Sequence, residues 1–172
     1  MHVTSFDVSS VWRRHDLRLG RFAHIAGLGT SLALVRLEVS GVRVKRVSSD
    51  YREIDVQMVP HFYNRNFVGT HFGGNLSDVT GPWFWFMFMF MLILGAEYLV
   101  WSKHGPIDFV KPGRGKVRSE FRIIDTVLEK IQAATANGDK YLPTFAVGAQ
   151  DQADKVVALL ERTVYILREQ RG

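Results

Sequence analysis

Residues 81–96 read Gly81-Pro82-Trp83-Phe84-Trp85-Phe86-Met87-Phe88-Met89-Phe90-Met91-Leu92-Ile93-Leu94-Gly95-Ala96, without one charged or strongly polar side chain. As a helix rising about 1.5 Å per residue, the run reaches roughly 24 Å, short of the ~30 Å hydrocarbon core of a bilayer. Glu97 and Lys103 follow closely. The run therefore reads as a buried helix and not as a membrane span. A helix that is apolar on every side needs cover on every side, which one small domain does not supply, so a second copy of the chain is expected against it. The opening Met1-His2-Val3-Thr4-Ser5-Phe6-Asp7 lacks the basic and then apolar pattern of a signal peptide, and the expected location is cytoplasmic.

Outward from this run, strand patterns alternate with helical ones. Upstream, Val42 and Val44 alternate with Arg43 and Lys45, and Ile54, Val56 and Met58 alternate with Glu53, Asp55 and Gln57. A period of two predicts strands with one wet face. Ser48-Ser49-Asp50 supplies the turn of an antiparallel hairpin. Downstream, Tyr98, Val100, Trp101, Ile107 and Phe109 favour strand, and Lys111-Pro112-Gly113-Arg114-Gly115 punctuates. Val117, Ser119, Phe121 and Ile123 then alternate with polar neighbours, which reads as a second strand pair joined by a basic turn. Ile124, Val127, Leu128, Ile131 and Ala134 return to helical spacing, with Asn137-Gly138 as the stop. A short strand around Phe145 and Val147, a turn over residues 151–155 and a β-rich stretch over residues 156–167 complete the order.

Ahead of Gly41, apolar residues from Val11 to Val35 recur at threes and fours, interrupted by Gly20, Gly27 and Gly29, and predict two or three short helices. The expected fold class is α+β, with an N-terminal helical extension over residues 1–40 and one domain over residues 41–172. In that domain antiparallel strands wrap a long apolar central helix, because parallel crossovers would need helices between successive strands.

Composition narrows the function. The 172 residues are 47% hydrophobic and 23% charged, which suits one principal core. A formal charge of +5 favours phosphate-bearing partners without singling out nucleic acid, and none is expected. The absence of cysteine excludes disulfides, thiolate metal sites and cysteine nucleophiles. His2, His15, His24, His61, His71 and His104 show no His-x-x-x-His spacing, so no metal site is expected.

Candidate chemistry concentrates in Asn64-Arg65-Asn66-Phe67-Val68-Gly69-Thr70-His71-Phe72-Gly73-Gly74-Asn75-Leu76-Ser77-Asp78. Here a strand pattern ends, a glycine pair lets a ligand approach the backbone, and a helix begins whose free N–H groups favour an anionic oxygen. Such donors stabilise the oxyanion that forms when water attacks a carbonyl. The pair equally suits a helix pressed against a sheet. Where the helix starts is open: a start by Asn75 leaves Asp78 inside it, whereas Pro82 in a first-turn position makes Asp78 or Thr80 a cap. An early helix kinked at Pro82 is the third arrangement. His61 and His71 flank the loop as candidate bases, but no Ser-His-Asp pattern is readable and neither has an evident carboxylate partner in sequence. Lys111, Arg114, Lys116 and Arg118 form either a phosphate-holding turn or an ordinary solvated one, with Gly113 and Gly115 freeing the backbone for an anion.

The pattern Asn-x-x-Gly-Thr-x-x-Gly-Gly, carried by Asn66, Gly69, Thr70, Gly73 and Gly74 and followed by a long apolar helix and a strand pair, resembles the hotdog fold of acyl-CoA thioesterases. It is most similar to an uncharacterised thioesterase-like hotdog family, domain-of-unknown-function family 4442 of that superfamily. The resemblance covers residues 42–167. It implies an antiparallel sheet round the central helix, dimers or dimers of dimers pairing sheet edges, and an acyl-CoA or acyl-carrier thioester lying across the dimer interface. Coenzyme A enters as part of the substrate, with no separate cofactor. Catalytic roles are implied for Asn66, Gly73, Gly74 and Asp78, and substrate contacts for His71, Asn75, Lys111, Arg114 and Lys116. Catalytic relatives carry an acid seven residues after the second glycine, where this chain has Gly81; Asp78 lies three residues earlier. The implied function is binding and hydrolysis of such thioesters, and the alternative is a non-catalytic dimer that binds an acyl or aromatic ligand or only scaffolds.

Overall fold

The computed structural model describes residues 40–89 and 98–168. The N-terminal helical extension and the later part of the apolar run lie outside the described residues. β1 (Val42–Val47) and β2 (Glu53–Met58) pair antiparallel about the turn that Ser48 and Asp50 close, with Val44 opposite Val56. α1 (Gly73–Thr80) and α2 (Trp83–Phe88) follow, then β3 (Tyr98–His104), β4 (Ile107–Phe109), β5 (Val117–Arg122), α3 (Asp125–Thr135), β6 (Lys140–Tyr141), β7 (Thr144–Asp151) and β8 (Val156–Arg168).

All strands join one antiparallel sheet in the order β1-β2-β5-β7-β8-β3, with β4 and β6 also pairing with β8. The alternation set the faces. On β5, Val117, Ser119 and Phe121 point inward opposite Met58, Val56 and Ile54, while Arg118, Glu120 and Arg122 stay outside. Arg122 pairs there with Asp55 and Glu120, and Arg46 with Glu53 and Asp55. One expectation fails. The strands before and after the basic turn do not pair with each other: β3 and β4 lie on β8, whereas β5 lies between β2 and β7. The turn therefore crosses from one part of the sheet to another, a non-local choice that alternation within each strand does not encode.

The inner face packs on the two short helices. Of the three arrangements left open, the early helix broken at Pro82 is the one seen. Pro82 has no N–H to give to the carbonyl of Asp78, and the Trp83 indole takes that carbonyl instead at 3.2 Å. Asp78 and Thr80 are thus helical residues and not caps; the Thr80 hydroxyl turns back onto the Leu76 carbonyl at 2.8 Å. Trp83, Phe84, Met87 and Phe88 are buried, Phe84 stacks on Phe145, and the Trp85 indole donates to the Val100 carbonyl of β3. α3 ends where Gly138, at φ +80°, donates to the Thr135 carbonyl, as the Asn-Gly pair predicts. No helix among the described residues is long and apolar enough to cross a membrane.

Phe88 has no exposed surface. Phe88→Ala should lower unfolding stability by about 3–5 kcal/mol in urea titrations followed by circular dichroism. A loss under about 1 kcal/mol would mean that the helix face at Phe88 is not closed by the sheet.

Candidate functional site

Three polar side chains build the segment between β2 and α1. Asn64, almost fully buried, accepts from the His61 N–H through Oδ1 at 2.6 Å and donates through Nδ2 to the carbonyls of Val59 at 2.8 Å and Ser40 at 3.2 Å. Gly41 makes this possible: its φ of +78° and missing Cβ leave the space that the Asn64 amide occupies. Asn66 closes the next turn, accepting from the N–H groups of Val68 and Thr70 and donating to the Thr70 hydroxyl at 2.7 Å. Both ends of its amide are engaged inside its own loop.

His71 is the third. Its backbone N–H donates to the Gly113 carbonyl at 3.0 Å, and its ring Nε2 donates to the Gly115 carbonyl at 2.7 Å, which fixes Nδ1 as the unprotonated nitrogen. Nδ1 is buried with no partner among the described residues. Burial pushes the His71 pKa down and nearby Arg65 adds to the shift, against the opposing hydrogen bond to Gly115. The ring is therefore a neutral clamp that ties the glycine pair to the basic turn. Sequence spacing brings these two segments no nearer than about forty residues; the clamp makes them neighbours.

α1 starts at Gly73, and its first helical bond runs from the Leu76 N–H to the Phe72 carbonyl at 3.1 Å. The N–H groups of Gly73, Gly74 and Asn75 thus have no acceptor within the helix. A Cβ on Gly74 would meet nothing within 4 Å, whereas one on Gly73 would press the Phe109 ring at 2.9 Å. The mouth is open at Gly74 and walled by Phe109 at Gly73. The Asn75 amide donates to the Asn64 carbonyl at 3.2 Å, bracing the helix start against the loop. Phe62, Arg65, Asn66, Phe67, Gly69 and Phe72 line a shallow depression beside it.

Asp78 lies one turn beyond Gly74 and accepts from the Ser40 hydroxyl at 2.5 Å. In the basic turn, Lys111 pairs with Asp151 at 2.5 Å and holds that carboxyl down at about 2. Arg118 pairs with Asp154. Arg114 and Lys116 are exposed and have no ion pair among the described residues, so they are the turn's available cations. At residue 81, where the resemblance implies an acid, a Cβ on the glycine would collide with the Ser77 carbonyl oxygen and stand 3.1 Å from Nη2 of Arg162. Sequence reasoning missed Asn64, Phe109 and Arg162. Alternation along β8 carries a signal for the last, since it sets Arg162 in a row of apolar residues.

The family model described as "Domain of unknown function (DUF4442)" matches residues 38–166, and the chain belongs to that family. No curated protein matches the sequence. Among solved structures, a Pseudomonas aeruginosa protein of unknown function, described as a probable thioesterase, is similar at TM-score 0.69 and 17% identity, over 81% of this chain and 96% of that one. The PaaI protein of the Escherichia coli phenylacetic acid degradation operon is similar at TM-score 0.55 and 13% identity, over 86% and 99%. A Haemophilus influenzae thioesterase is similar at TM-score 0.56 and 10% identity, over 80% and 87%. At these identities the likeness shows the fold, a thioesterase-like hotdog.

The His71 shift has a definite sign. A histidine whose folded pKa is below its unfolded value near 6.5 contributes stability that is intact above about pH 6.5 and declines as pH falls through that value. Melting curves between pH 7.5 and 5 should show the decline in the parent and a shallower one in His71→Gln. Equal slopes in the two would refute the buried, neutral ring.

Proposed function

We propose that the chain binds acyl thioesters of coenzyme A or an acyl carrier, with the thioester carbonyl received by the free N–H groups of Gly73, Gly74 and Asn75. The observation that carries this is the open helix mouth, held by His71 against a turn with two available cations. Arg114 and Lys116 there meet the phosphates of the carrier, and Phe62, Phe67 and Phe72 offer apolar surface beside the mouth. Lys111, being paired with Asp151, acts on the phosphates only through its remaining donors.

Hydrolysis follows if water is activated at the bound carbonyl. Backbone donors aimed at a developing oxyanion contribute about 3 kcal/mol each, or roughly a hundredfold in rate. We assign the orienting of this water to Asp78, one turn from Gly74, a role supported by its carboxylate chemistry and its hydrogen bond from Ser40. Asn66 supports it indirectly, by holding the loop. The non-catalytic reading is favoured by Gly81, which supplies no acid and backs onto an arginine. The half-buried Trp85 and Phe86, and β3 at the sheet edge, support a homodimer, which we place in the cytoplasm.

Two measurements separate these readings. Calorimetry with a non-hydrolysable ketone analogue of an acyl-CoA should give micromolar binding, weakened at least tenfold by the double change Arg114→Glu and Lys116→Glu. Thiol release from acyl-CoA should then fall at least tenfold in kcat in Asp78→Asn, with KM little changed, if the chain is a hydrolase. Binding without turnover assigns the non-catalytic role, and no binding of any acyl-CoA refutes the proposal. Gly81→Asp should not raise turnover, because the new carboxylate would stand beside Arg162.

A further inference from the structure

The inner row of β8 consists of Ala158, Leu160, Arg162, Val164 and Ile166, and every member except the arginine is at most 1% exposed. Arg162 stands opposite Phe145 in the β7–β8 register, and Phe145 stacks on Phe84 of α2 with ring centroids 4.7 Å apart. Residues directly opposite in a sheet share a face, so the guanidinium lies on the helix side. It reaches the break between α1 and α2. Nη1 donates to Ser102 Oγ at 2.9 Å. A Cβ on Gly105 would stand 2.6 Å from Cζ, and one on Gly81 would stand 3.1 Å from Nη2. Gly105 and Gly81 flank the guanidinium on its two sides.

This cation has no counter-charge among the described residues. Arg46, Arg52, Arg118 and Arg122 each pair with a carboxylate, whereas Arg162 pairs with none among the described residues, and its Nε is buried with no partner. Burial alone pulls its pKa down. A partly buried charge without a partner is costly, and an anion arriving from outside offsets that cost. The planar fork of donors is matched best by a carboxylate, which can take two parallel N–H bonds. A neutral carbonyl would leave the charge uncompensated.

We propose that Arg162, oriented by Ser102, receives a carboxylate carried by the ligand, and that the acyl groups accepted are those of dicarboxylic acids held as monothioesters. The slot itself is independent of the thioester reading; the identity of the rest of the ligand rests on it. Gly74 and Gly81 are two helical turns apart, about 10 Å, which an extended chain of about six to eight carbons spans. A Cβ on Gly81 would meet the Ser77 carbonyl oxygen first, at 2.4 Å, and the guanidinium only at 3.1 Å, so the glycine keeps the helix end and the arginine side by side.

The test compares non-hydrolysable ketone analogues of suberyl-CoA and octanoyl-CoA, matched in carbon count, by calorimetry. The parent protein should bind the suberyl analogue at least tenfold more tightly, and Arg162→Gln should bind the two within threefold of each other. Equal affinities in the parent overturn the proposal, with or without a folded variant, as does a preference that survives in Arg162→Gln. If neither analogue binds, the thioester reading fails, and free suberate decides the slot alone. A rise in melting temperature with suberate in the parent, absent from Arg162→Gln and not reproduced by sulfate, sustains the carboxylate site. No rise, or an equal rise with sulfate, overturns it.

Discussion

The pair of bonds from His71, backbone N–H to Gly113 and ring N–H to Gly115, is the constraint on which the site depends. It joins two segments that approach from opposite parts of the sheet. One is the loop leaving β2 and the other is the crossover between β4 and β5. Packing at the clamp leaves little slack, because a Cβ on Gly113 would lie 2.8 Å from Val157 and 3.3 Å from the His71 ring. A charged imidazole there would be desolvated without a counter-ion, so the clamp requires a neutral ring. The helix mouth, its wall at Phe109 and the exposed cations Arg114 and Lys116 take their relation to one another from this tie.

Local periodicity made much of the fold legible. The first hairpin, the stop of α3 at Gly138 and the long strand β8 follow from alternation and turn chemistry written in neighbouring residues. The pairing of β5 with β2 and β7 does not, because strand order is decided by contacts between segments far apart in sequence. The glycine pair was readable as a helix start, yet Pro82 drew attention to a second possible start, and only the indole of Trp83 taking the orphaned Asp78 carbonyl shows how both are accommodated. Asn64 was unreadable for a related reason: its partners are backbone groups at residues 40, 59 and 61, and no side-chain pattern announces them.

Gly81, where the resemblance implies an acid, changes meaning once its surroundings are seen. A glycine there reads in sequence as a lost catalytic group. In the structure the same glycine forms one wall of a slot occupied by Arg162, and Gly105 forms the other. A glycine where an acid is expected, beside a guanidinium with no ion pair among the described residues, gives the helix break a positive character. Among the described residues, α1 thus carries backbone donors at its start and the Asp78 carboxylate one turn along, with the Arg162 guanidinium beside its end.

Backbone amide shifts would test the central claim, that the start of α1 receives the ligand's carbonyl, most directly. With isotope-labelled protein titrated with a ketone analogue of an acyl-CoA, the resonances of Gly73, Gly74 and Asn75 should shift downfield and saturate together with those of the 113–116 turn. Saturable shifts confined to the outer sheet face around Asp55, Arg118 and Gln150, with the three helix-start amides unmoved, would contradict it.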